Sequence, residues 1–196
     1  MTDPRTGIRH LTATRACARQ PQTIGAIDPQ ELAALQCVFF DCDGVMTDGR
    51  VWVDASGNET KAFSVIDGHG VAMLRQSGVM VAMVTRSPAG ISTARAQKLR
   101  FDVVRTSILD KATAVAEVIA EHNLDPARCA FMGDDLPDLE AFAVVGLQIA
   151  PPTARPEVLN QARATTTALA GNGAVREVCD AIAVARARLA DHLPSI

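Results

Sequence analysis

Short apolar runs alternate with amphipathic stretches along most of this chain. Cys37-Val38-Phe39-Phe40, Val79-Met80-Val81-Ala82-Met83-Val84, Val103-Val104, Ala130-Phe131-Met132 and Leu147-Gln148-Ile149 are too short for core helices and predict strands. Between them Val115, Val118 and Ile119 share a helical face, as do Val175, Val178, Cys179, Ile182 and Leu189 in the last segment. Strands alternating with such helices predict crossover connections, and so an α/β fold with a parallel central sheet covered by helices.

One segment interrupts the alternation. Arg50-Val51-Trp52-Val53, a turn-like Asp54-Ala55-Ser56-Gly57-Asn58 and the stretch from Glu59 to Val65, with β-favouring Thr60, Phe63 and Val65, predict a β-hairpin after the first strand. Other connections are short and leave no room for a lid domain, so the site is expected to be open unless a neighbouring subunit covers it. Residues 31–196 form the expected domain. Residues 1–30, with Arg5, Arg9, Arg15 and Arg19 against Asp3 and Asp28, are expected to be a disordered or loosely docked extension.

Composition narrows the partners. A net charge of −3 offers no global field for nucleic acid or an acidic membrane, which leaves small molecules or further copies of the chain. The 5 cysteines are odd in number, widely spaced and contain no C-x-x-C pair, which argues against a disulfide framework and a zinc site and for a reducing cytoplasm. No apolar run approaches the roughly 20 residues of a membrane helix, and no hydrophobic signal-peptide core is present at the start.

The chemistry is concentrated where strands end. Asp41-Cys42-Asp43-Gly44 follows the first strand directly, and Gly133-Asp134-Asp135-Leu136-Pro137-Asp138 follows a later one. Ligands of open α/β sheets bind at the carboxyl ends of strands. The first cluster alone could be an Asp-Gly turn or a calcium loop, although an EF-hand needs regularly spaced oxygen ligands and a helix in front. Two converging acid clusters repel unless a hard cation lies between them, and magnesium suits an oxygen-only set of Asp41, Asp43 and Asp134. Alternatively, Asp134 or Asp135 caps the helix that starts near Leu136. Thr85, in Val84-Thr85-Arg86-Ser87, could cradle a phosphate with the following N–H groups or could simply cap a helix. Lys111 at a helix start is unfavourable against the dipole unless it neutralises an anion; a solvated surface lysine is the alternative.

The order of these parts, D-x-D-G, a strand-end threonine, a lysine and G-D-D-x-x-D, resembles the haloacid dehalogenase superfamily. The closer likeness is to its 3-deoxy-D-manno-octulosonate 8-phosphate phosphatase subfamily, through residues 41–49, Lys61-Ala62-Phe63, Asp67-Gly68-His69-Gly70, Asp110-Lys111 and residues 173–179. The resemblance implies a capless, modified Rossmann fold and magnesium-dependent phosphatase chemistry. Asp41 would be the nucleophile, Asp43 the general acid/base, and Thr85, Arg86 and Lys111 the phosphate ligands. Asp134 would complete the metal set and Asp138 would support it. Asp67, Gly68 and His69 are candidates for a substrate contact, with a solvated loop the alternative for His69. The resemblance further implies a homo-oligomer, a tetramer in which the hairpin helps seal a neighbour's site. Three positions depart from the subfamily's pattern: Ile66 where arginine is usual, Arg86 where glycine is usual with arginine one place later, and Ala170 in place of glycine. These leave open a different sugar-acid phosphate, such as an acylneuraminate 9-phosphate, and a binding or assembly module that has lost turnover.

Overall fold

The apolar runs do form strands, because each alternates its side chains between two helical layers. In the computed structural model, which describes residues 21–191, Val38 and Phe40 of the central strand join one core cluster and Cys37 and Phe39 the other. The strands are β1 (Gln22–Thr23), β2 (Cys37–Phe40), β3 (Trp52–Val53), β4 (Glu59–Thr60), β5 (Met80–Val84), β6 (Val103–Arg105), β7 (Cys129–Met132), β8 (Leu147–Ala150) and β9 (Ala164–Thr165). The helices are α1 (Pro29–Ala34), α2 (Val65–Gln76), α3 (Ile91–Leu99), α4 (Lys111–Glu121), α5 (Asp138–Phe142), α6 (Pro156–Leu159) and α7 (Ala174–Asp191).

Seven strands pair in parallel in the order β1-β9-β8-β7-β2-β5-β6. From β2 the chain builds outward through β5 and β6, then returns to the other side of β2 for β7, β8 and β9. That reversal opens a crevice at the carboxyl end of β2. Buried side chains of α1, α2 and α7 pack on one face of the sheet and those of α4, α5 and α6 on the other, which gives the three layers expected.

Three expectations need correction. Of the expected extension, residues 1–20 lie outside the described residues, but residues 21–30 belong to the fold. Gln22–Thr23 extends the sheet beside β9, Ile24 and Ile27 enter the core, and Asp28 caps α1 by accepting from the Gln30 N–H at 2.9 Å. The hairpin is shorter than predicted. Only Trp52–Val53 and Glu59–Thr60 pair, and Val65 opens α2 because the Ser64 hydroxyl accepts from the Asp67 N–H. Leu189 is 47% exposed, whereas the other four residues assigned to its face are buried.

Candidate active site

The crevice at the end of β2 is a cleft of about 450 Å³ lined by residues from the ends of β2, β5 and β7 and from the start of α4. Asp41 is fixed by its own backbone: its N–H donates to Met132 O at 3.0 Å, and its Oδ1 accepts from the Cys42 N–H at 2.7 Å. Lys111, the first residue of α4, is only 1% exposed and reaches back into the cleft. Its Nζ lies 2.9 Å from Asp41 Oδ2 and 2.6 Å from Asp138 Oδ1. Burial alone would lower the pKa of this ammonium, but the Asp41 and Asp138 carboxylates hold it above its usual value. Lys111 is therefore no surface lysine.

Asp138 is enclosed by donors. Besides Lys111, its Oδ2 accepts from the N–H groups of Asp134 (2.8 Å) and Asp135 (3.0 Å), which fixes the loop after β7. Neither Asp134 nor Asp135 caps α5; Asp135 accepts from the next N–H, that of Leu136. Asp134 Oδ1 is buried without a hydrogen-bond partner. Burial, then the neighbouring carboxylates Asp138, Asp41 and Asp135, push Asp134 up to about 8. Burial also raises Asp41 to about 6, against the opposing pull of Lys111.

These features fit a divalent cation. One oxygen each of Asp41, Asp134 and Asp138 lies within 4.8 Å of the others, and the orphaned Asp134 Oδ1 lacks the positive partner that a buried carboxylate requires. The space is kept open by Gly44, at φ +78°, where a Cβ would lie 2.0 Å from Asp134 Oδ2. The cluster takes in two of the three expected ligands, Asp41 and Asp134. The Asp43 carboxylate turns away to Lys61 Nζ at 2.7 Å and to the Ser87 hydroxyl, and Asp138 stands in the cluster instead.

Thr85 is buried at the cleft floor, where its hydroxyl accepts from the Ser87 N–H at 3.2 Å. It caps no helix, because α3 starts only at Ile91. Arg86 is exposed and lines the cleft. The expected substrate contacts lie elsewhere. Asp67 is fully buried in the first turn of α2, and its carboxylate accepts from the N–H groups of Gly173 (3.2 Å) and Arg176 (2.8 Å) at the start of α7. Gly68 is packed beneath Arg95, and His69 is exposed on α2 outside the cleft lining. Asp67 is thus a tie between two helices, because its carboxylate satisfies backbone donors that would otherwise be orphaned. Lys61 and Ser87, neither of them assigned a role from sequence, both bear on Asp43.

A doubly wound parallel sheet with a carboxylate-lined cleft at its topological switch point defines the class, a Rossmann-like α/β enzyme with an acidic site at the strand ends. The pattern of the haloacid dehalogenase-like hydrolases matches residues 76–178, and the chain belongs to that family. It is 38% identical over 160 residues to the 3-deoxy-D-manno-octulosonate 8-phosphate phosphatase of Yersinia pestis, covering 82% of this chain and 86% of that one. The Moraxella catarrhalis phosphatase of the same name, solved with a magnesium ion, a phosphate ion and a KDO molecule, superposes with a TM-score of 0.78 at 34% identity, over 84% of this chain and 97% of that one. The cobalt-bound phosphatase of Haemophilus influenzae gives 0.77 at 33% identity, over 81% and 92% of the two chains.

Proposed function

We propose that this chain is a magnesium-dependent phosphatase that hydrolyses 3-deoxy-D-manno-octulosonate 8-phosphate through an aspartyl-phosphate on Asp41. The observation that carries this reading is the facing of Asp41, Lys111 and Asp134 in one cleft, with a second carboxylate, Asp43, beside them. Relatives that share most of the chain's length bear that activity in their names.

In the first step an oxygen of Asp41 bonds to phosphorus as the P–O ester bond breaks. The electron pair leaves with the sugar oxygen, which takes a proton from Asp43. In the second step Asp43 takes a proton from water, the water oxygen bonds to phosphorus, and the bond to Asp41 breaks, releasing inorganic phosphate. Lys111 and the Thr85 hydroxyl oppose the charge on the transferring group, the dominant demand of phosphoryl transfer. Magnesium, held by Asp41 and Asp134 with Asp138 fixing the Asp134 loop, would neutralise the carboxylates and polarise the phosphoryl oxygens.

Exposed Val51, Trp52, Val53, Val65 and Ile66 surround the hairpin and support a homo-oligomer, a tetramer, in which a second copy covers them. Four buried free thiols among the described residues support a reducing, cytoplasmic setting. Among the described residues no helix is long and apolar enough to cross a membrane. Arg86 at the cleft rim supports a second reading, in which the sugar end differs and an acylneuraminate 9-phosphate is the substrate.

Phosphate release by the purified protein with magnesium, across a panel of sugar phosphates, tests the proposal. The 8-phosphate should be preferred, chelation should stop turnover, and Asp41→Asn should lower kcat by at least about 10⁴-fold with the fold intact. Substantial activity in Asp41→Asn removes the covalent mechanism; equal rates across the panel remove the substrate assignment.

A further inference from the structure

Lys61 directly follows β4, a strand whose residues are exposed, yet its own side chain is only 5% exposed. An ammonium is desolvated in this way only when anions or acceptors compensate. Its Nζ donates to Asp43 Oδ2 at 2.7 Å and to Ser87 Oγ at 2.9 Å, and the Ser87 hydroxyl donates to the same Oδ2. The three groups close a ring around a single carboxylate oxygen. The other oxygen, Oδ1, has among the described residues only the Thr47 hydroxyl, at 3.5 Å.

The backbone that carries Lys61 is fixed just downstream. The Arg95 guanidinium lies 5.5 Å from the centre of the Phe63 ring and donates to Ser64 O at 2.7 Å, while Ser64 caps α2. Lys61 is therefore held between the hairpin and a capped helix, and it meets Asp43 from a rigid base.

We propose that Lys61 is a positioning residue for the proton transfers of Asp43. With Ser87 it grips Oδ2, so that Oδ1 is the oxygen that gives its proton to the leaving sugar oxygen as the P–O ester bond breaks. Oδ1 then takes a proton back from the attacking water as the bond between phosphorus and Asp41 breaks. This rests on the phosphatase reading above.

An alkyl leaving group needs that proton, whereas p-nitrophenolate departs without it; both substrates need the base in the second step. Lys61→Met should therefore lower kcat/KM for a sugar phosphate by roughly 10²-fold or more, and for p-nitrophenyl phosphate less than about tenfold. With the aryl substrate the second step then limits turnover, giving a burst of about one p-nitrophenolate per active site before a slow steady state. Lys61→Arg, which keeps a cationic donor, should restore much of the sugar-phosphate rate. Ser87→Ala, which removes one atom and threatens no core, should carry the same leaving-group signature in weaker form. Equal losses on both substrates without a burst, or no loss at all, overturn the role of Lys61 while leaving the phosphatase reading intact. A wild-type protein inert on both substrates overturns both.

Discussion

The Nζ of Lys111 stands 2.6 Å from Asp138 Oδ1 and 2.9 Å from Asp41 Oδ2, so one buried ammonium is shared by the candidate nucleophile and the carboxylate that fixes the Asp134 loop. Lys111→Met leaves Asp41, Asp134 and Asp138 facing one another without that cation. Breaking such a buried arrangement costs about 3–5 kcal/mol, and added magnesium should recover part of the loss. Denaturant unfolding with and without the ion measures it; an unchanged midpoint would show that the lysine contributes nothing to the fold.

The carboxylates also set a pH dependence for the metal-free protein. Asp41 and Asp134 are raised by burial to about 6 and about 8, whereas an unfolded chain releases those protons near pH 4. Between those values the folded state binds more protons, so stability contributed at low pH is lost as pH rises. Melting of the chelated protein should therefore fall from pH 5 to pH 8. The shift produced by a divalent cation should grow over the same range, because the ion displaces the retained protons. A cation-induced shift that is flat with pH contradicts this.

Gly44→Ala places a Cβ at φ +78° and 2.0 Å from Asp134 Oδ2. The backbone term alone is about 1–2 kcal/mol, and the displaced carboxylate should cost roughly ten- to hundredfold in metal affinity. Calorimetric titration with magnesium reads this directly. Wild-type affinity would show that Asp134 does not face the ion.

Asp67→Ala separates structure from substrate contact. It orphans the N–H groups of Gly173 and Arg176 at the start of α7 and should destabilise by about 1–3 kcal/mol. KM for the sugar phosphate should stay within about threefold of wild type, since Asp67 lies outside the cleft lining. A large rise in KM at full stability would restore Asp67 to the substrate side.

Five sheet strands and both acid clusters were legible because contiguous apolar residues and adjacent carboxylates leave local signatures. Gln22–Thr23 and Ala164–Thr165 were not, since neither lies in an apolar run and their pairing is set at the sheet edge. Ile24 and Ile27, in the short stretch Ile24-Gly25-Ala26-Ile27 with no period to read, likewise gave no sign that residues 21–30 join the fold. In the site, Asp41, Thr85 and Asp134, which follow strands, and Lys111, which opens a helix, line one cleft. Lys61, Ser87 and the inward turn of Asp67 escaped because each depends on a partner at least 18 residues away, a distance over which sequence carries no periodic signal.

The parallel course of β1 places Pro21, the first described residue, at the end of the sheet opposite the strand ends that form the cleft. Helix α7 runs back to that same end, where Arg186 donates to Ala33 O and Leu35 O just ahead of β2. The start of β1 and the last turns of α7 therefore lie on the side remote from the cleft. A pull applied through β1 or through the last turns of α7 would therefore reach the sheet from the side opposite the chemistry.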